Sequence, residues 1–66
     1  MQITVNGAPA DVDADATVAA VVRRRAGEHR RVAVAVNGDV VPRSAWDVTR
    51  LTAGDIVEVL IPVAGG

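Results

Sequence analysis

The 66-residue chain contains no cysteine. Disulfides, thiolate nucleophiles and cysteine metal sites are therefore excluded together, and a disulfide-stapled secreted mini-protein does not fit. Phe and Tyr are also absent, and Trp46 is the single aromatic residue. The apolar mass is Val and Ala, with three Ile and two Leu, so the core must be thin. Such a chain folds only if its elements are well patterned, because a small core barely outweighs backbone entropy. There is no Lys: all seven basic residues are Arg, a pattern that a GC-rich coding bias accounts for. Its chemical consequence is that the Met1 α-amino group is the only primary amine, so no side chain can form a Schiff base or accept an isopeptide. No apolar run approaches the roughly 18 residues that span a bilayer. Met1-Gln2-Ile3-Thr4 lacks the basic and apolar regions of a signal peptide, so the cytoplasm is the expected compartment. A net charge of −1 argues against nucleic acid or a membrane as partner.

Half the residues are hydrophobic and 23% are charged, a globular composition for one small domain. Ile3 and Val5 alternate with Gln2 and Thr4, which predicts a half-buried strand. Asn6-Gly7 is a strong hairpin signal, because both residues tolerate positive φ. A second strand is expected over Ala8 to Val12, at a sheet edge because Pro9 lacks an amide donor. Residues 16–26 then change period. Val18, Val21 and Val22 share one face of a helix, with Thr17 as N-cap and Asp15 as a second candidate. Asp residues before its start and Arg23, Arg24 and Arg25 at its end suit the helix dipole. Gly27 fits a left-handed C-cap.

Val32, Val34 and Val36 predict a third strand. Asn37-Gly38 repeats the hairpin signal, and Asp39-Val40-Val41 follows as a short fourth strand. Ser44 to Val48 reads as one helical turn capped by Ser44, with Trp46 closing one end of the core. Ala53-Gly54-Asp55 is a tight turn, and Ile56 to Ile61 is the last strand. The order is hairpin, helix, hairpin, short turn, strand. One helix can cover one face of a four- or five-stranded mixed sheet, with the first and last strands parallel at its centre. That is an α+β, β-grasp or ubiquitin-like, arrangement. It divides the chain into a domain over 1–61 and a protruding C-terminal tail over 62–66. With Val34, Val57 and Val59 turned toward the helix, Ala33, Ala35, Ile56 and Leu60 are expected to form an outward, partly apolar docking face.

No catalytic constellation is visible. His29 is the only histidine and Ser44 the only serine. Neither a metal cluster nor a nucleophile–base pair can be assembled from them. Asp11, Asp13 and Asp15 alternate, but the glycine and bidentate Glu of a calcium loop are missing, so no metal site is expected. The end of the chain is more informative. With Gly near 7% of average sequence, Gly-Gly at two given positions has a chance expectation of about 0.5%. A carboxylate that must enter a narrow enzyme channel needs an extended, unbranched lead, and two residues without Cβ give the least bulk.

The chain resembles the sulfur carrier proteins of thiamine biosynthesis, the ThiS family. Three stretches carry the likeness. They are Met1-Gln-Ile-Thr-Val-Asn-Gly with Thr17-Val-Ala, Val34-Ala-Val-Asn-Gly-Asp-Val-Val-Pro-Arg-Ser-Ala-Trp46, and Leu51 through Gly54-Asp-Ile-Val-Glu-Val to Val63-Ala-Gly-Gly66. The resemblance implies a covalent carrier and not an enzyme, with no bound cofactor. It implies that an E1-like adenylyltransferase uses ATP and Mg²⁺ to adenylate Gly66. A persulfide sulfur donor then converts Gly66 to a thiocarboxylate, which thiazole synthase consumes. Val63, Ala64 and Gly65 would enter the partner active sites as the tail. Two alternatives remain: a carrier like the molybdopterin-synthase small subunit, or a non-covalent ubiquitin-like interaction module.

Overall fold

A computed structural model describes residues 1–28 and 31–62. Strands β1 (Gln2–Val5) and β2 (Ala8–Asp11) form the first hairpin. Helix α1 (Val18–Ala26) follows, then β3 (Ala33–Val36) and β4 (Asp39–Val40). A short 3₁₀ turn over Arg43–Ala45 leads to β5 (Ile56–Leu60). The sheet has five strands in the order β2-β1-β5-β3-β4. The first and last strands pair in parallel near the middle, Thr4 opposite Ile56 and Val5 opposite Val57. Every other pairing is antiparallel. Pro9 lies in the edge strand β2, where its missing donor leaves no gap inside the sheet.

Both hairpins turn on Asn-Gly. Asn6 and Asn37 have φ of 50° and 51°, and Gly7 and Gly38 follow at 83° and 85°. Two successive positive φ values give the turn whose twist matches that of the strands it joins.

The helix forms because its apolar residues fall on one side: Val18, Val21, Val22 and Ala26 are buried while Arg23, Arg24 and Arg25 are exposed. Its first-turn donors are all accounted for. Val18 donates to the Thr49 carbonyl at 2.9 Å, Ala19 to the Trp46 carbonyl at 3.1 Å, and Ala20 to Thr17 Oγ1 at 3.4 Å. Thr17 is thus the N-cap, and the first turn holds no acidic residue. Asp15 stands in the preceding turn, exposed, and does not cap. At the other end, the amide of Gly27 donates to the Arg23 carbonyl at 3.1 Å. Gly27 has the expected positive φ of 62°, but its ψ of −125° lies outside the left-handed helical region expected of it.

Ile3, Val18, Val34 and Val57 are the largest fully buried side chains, so the core lies between α1 and one face of the sheet. Trp46 closes one end of it. It is 8% exposed, its indole N–H donates to the Val41 carbonyl at 2.9 Å, and the Arg43 guanidinium lies 4.9 Å over its ring. Ser44 does not cap the short turn. Pro42 takes the N-cap position without a side-chain bond, and Ser44 lies inside the turn.

Strand ends are shorter than the sequence pattern predicts. Val12, Val32, Val41 and Ile61 fall just outside their strands and are half-buried against the core. Val41 still donates to the Val34 carbonyl at 2.8 Å, so pairing extends one residue past β4.

Candidate functional site

The site is built on β5, because this strand sits inside the sheet and runs toward the chain end. Its residues alternate: Val57 and Val59 are buried, whereas Ile56, Glu58 and Leu60 are exposed. The pairing register carries this alternation across the sheet. Ala33 lies opposite Leu60, Ala35 lies opposite both Glu58 and Val40, and Thr4 lies opposite Ile56. These residues share the face turned away from α1.

The four residues expected on a docking face therefore lie together. Ile56 is 51% exposed and Leu60 68%, and Ala33 is exposed as well. Ala35 differs from expectation in being half-buried, since longer side chains flank it on both neighbouring strands. Two residues of this face were not expected. Val40, 77% exposed, extends the apolar surface to the β4 edge. Glu58 puts one carboxylate in the midst of it. The strict alternation from Ile56 to Leu60 was the available signal for Glu58. Val40 could have been found only from its pairing with Ala35.

Strand β5 is held near both ends by side-chain amides. Asn6 donates its backbone N–H to the Val57 carbonyl at 2.9 Å. Its side chain then takes over where β1 turns away. Oδ1 accepts the Val59 N–H at 2.8 Å and Nδ2 donates to the Val59 carbonyl at 3.1 Å. At the opposite end of β5, Asn37 donates its N–H to the Ile56 carbonyl at 2.7 Å, and its Oδ1 accepts the Ile56 N–H at 3.0 Å. Asn37 Nδ2 also donates to Asp55 Oδ1 at 3.0 Å. The Asp55 carboxylate further accepts the Thr52 N–H at 2.8 Å and the Thr52 hydroxyl at 3.0 Å. These bonds, the Thr52 amide foremost and the Asn37 amide next, hold the Asp55 carboxyl below its ordinary pKa against a small opposing effect of burial.

Past β5, Ile61 is half-buried and Pro62 exposed. The tail residues Val63, Ala64, Gly65 and Gly66 lie outside the described residues, as does His29. Among the described residues no cluster of three or more His, Cys, Asp or Glu side chains could hold a metal ion. Asp11 lies 3.4 Å from the Met1 amino group and is otherwise solvated. Among the described residues, no helix is long and apolar enough to cross a membrane.

A five-stranded mixed sheet with parallel first and last strands, covered by one helix on one face only, defines a β-grasp domain. The ThiS family model matches residues 3–66, and the chain belongs to that family. The crystal structure of the thiamine biosynthesis protein ThiS from Geobacter metallireducens is 36% identical, with a TM-score of 0.81 and complete coverage of both chains. A solution NMR structure of a thiamine biosynthesis protein from Geobacter metallireducens is also 36% identical, with a TM-score of 0.79. It covers all of this chain and 88% of that one. No curated protein matches the chain.

Proposed function

We propose that this chain is a sulfur carrier for thiamine biosynthesis, with the Gly66 carboxylate as its reactive group. The observation that carries the reading is the family match, which runs through residue 66 and includes the Gly-Gly pair. The solved relatives are named for thiamine biosynthesis, and their β-grasp body is the one described above. The reading requires Gly66 to bear a free carboxylate.

A carboxylate is a poor electrophile because it has no good leaving group. An E1-like adenylyltransferase, using ATP and Mg²⁺, joins the Gly66 oxygen to the α-phosphorus and releases pyrophosphate. The product is a mixed anhydride in which AMP can leave. The terminal sulfur of a persulfide donor attacks the acyl carbon and expels AMP, forming an acyl disulfide. A thiolate then attacks the donor-side sulfur, forming a disulfide with the donor and expelling the Gly66 thiocarboxylate as the leaving group. Thiazole synthase takes this sulfur into the thiazole ring. Any imine-forming lysine in that step belongs to the synthase, since this chain has no Lys. The chain itself is a protein co-substrate and catalyses nothing. Activation by ATP and release by thiols suit the cytoplasm.

The outer face of β5 and β3 fits the docking role, and the tail of Val63, Ala64 and Gly65 fits delivery of Gly66 into the partner sites. An exposed apolar patch rimmed by polar residues is the usual mark of a protein contact. ATP–pyrophosphate exchange tests the reading. The protein should support exchange by the adenylating enzyme, and one residue appended after Gly66 should abolish it with the fold intact. Normal exchange with the extended chain would refute the carrier role.

A further inference from the structure

We infer that Asn6 is a positioning residue for the tail: its side chain anchors the distal end of strand β5 at Val59, from which residues 63–66 are delivered. The inference rests on the carrier reading and adds a residue remote in sequence from the reacting end.

The parallel ladder between β1 and β5 is short. It ends at Val5 opposite Val57, because the chain turns at Asn6-Gly7. The distal half of β5 therefore has β3 on one side and loses its strand neighbour on the other. Among the described residues, the hydrogen bonds that reach β5 beyond Val57 on the side away from β3 come from the Asn6 side chain, and they take both Val59 polar groups. A primary amide matches a peptide unit in offering one acceptor and one aligned donor, so Asn6 stands in for the missing strand. The bond spans 53 residues of sequence and is partly shielded from water. Six residues separate Val59 from Gly66. The β3 ladder holds the register of β5 at Val59 and Leu60, so loss of the Asn6 bonds would free the other edge of the strand end and re-aim the chain that follows it. Loss of about 1 Å of alignment already costs about a hundredfold in rate at a positioned reaction centre.

Asn37 supplies an internal control. It has the same positive φ, is followed by Gly, and clamps β5 through Ile56, at the end away from the tail. A purely structural role would make the two asparagines equivalent.

The test compares Asn6→Gly with Asn37→Gly, since Gly accepts positive φ while removing the side-chain bonds. Both variants should melt below the parent. In ATP–pyrophosphate exchange with the adenylating enzyme, Asn6→Gly should lower kcat at least about tenfold with KM within about threefold. Asn37→Gly should keep kcat within about twofold. Amide exchange at Val59 should quicken in Asn6→Gly and not in Asn37→Gly. If Asn6→Gly does not fold, Asn6→Asp decides, because it keeps the acceptor for the Val59 N–H and loses the donor. It should show the same fall in kcat. Equal losses in the two Gly variants, or a change in KM alone, would overturn the role of Asn6. A parent protein that supports no exchange would instead contradict the carrier reading, and this role with it.

Discussion

Ala33 lies directly opposite Leu60 across the β3–β5 ladder, on the face turned away from the helix. The pair joins the last residue of β5 to the edge-ward half of the sheet, so whatever binds this face also borders the point where the chain leaves the sheet. A small residue beside an exposed Leu leaves the Leu standing proud of its neighbours, as a side chain must to enter a partner's pocket.

Leu60→Glu should therefore weaken binding to the adenylating enzyme at least about tenfold while the domain stays folded. Substitutions at exposed positions usually change stability by no more than about 0.5 kcal/mol. Titration of the complex, with circular dichroism of the free variant, reads both outcomes. Unchanged affinity would remove the face from the docking surface, and unfolding would show that the Leu60 side chain is structural.

The core should respond in the opposite way. Ile3 is 1% exposed, and its truncation leaves a cavity in a domain with few large apolar groups. Ile3→Ala should cost about 2–5 kcal/mol. At about 4–8 °C per kcal/mol for a domain of this size, the melting temperature should fall by about 8 °C or more. Val40→Ala, at a position 77% exposed, should melt within about 4 °C of the parent. Comparable losses at the two positions would contradict the assignment of inner and outer faces.

Acid should weaken the turn before β5. The folded-state pKa of Asp55 is depressed by its hydrogen bonds from Thr52 and Asn37. A depressed carboxyl contributes stability that is fully present above its unfolded pKa and is lost as pH falls through the folded value. Urea midpoints measured from neutral pH downward should fall less steeply with acid in Asp55→Asn than in the parent. Parallel pH profiles would show that the Asp55 charge adds nothing to folding.

Much of this architecture is legible in local chemistry. Asn-Gly pairs report backbone that must adopt positive φ, and both hairpins fall where they stand. The helix is marked by the spacing of Val18, Val21 and Val22 and by Thr17, whose hydroxyl accepts the Ala20 amide. The outer face follows from the period of two in β5. What local pattern does not reveal is contact between distant residues. Asn6 reads as a turn residue, and its bonds to Val59 depend on a strand that arrives 53 positions later. Val40 reads only as part of a short strand, and its pairing with Ala35 is what places it on the outer face. Ser44 looks like a cap because its side chain suits one, but the chain leaves Pro42 in extended backbone and begins the turn there.

The central claim is that Gly66 carries sulfur as a thiocarboxylate, and intact-mass spectrometry tests it most directly. The protein is incubated with the adenylating enzyme, ATP, Mg²⁺, a persulfide donor and a thiol, and is then fragmented. The account predicts a mass gain equal to replacement of one oxygen by one sulfur, dependent on ATP and located on Gly66. Deleting Gly66 withdraws the carboxylate by up to about 3.6 Å, so the truncated chain should still fold and dock but load very poorly. Stable docking of the full-length chain with no mass gain, or equal loading of the truncated chain, would contradict it.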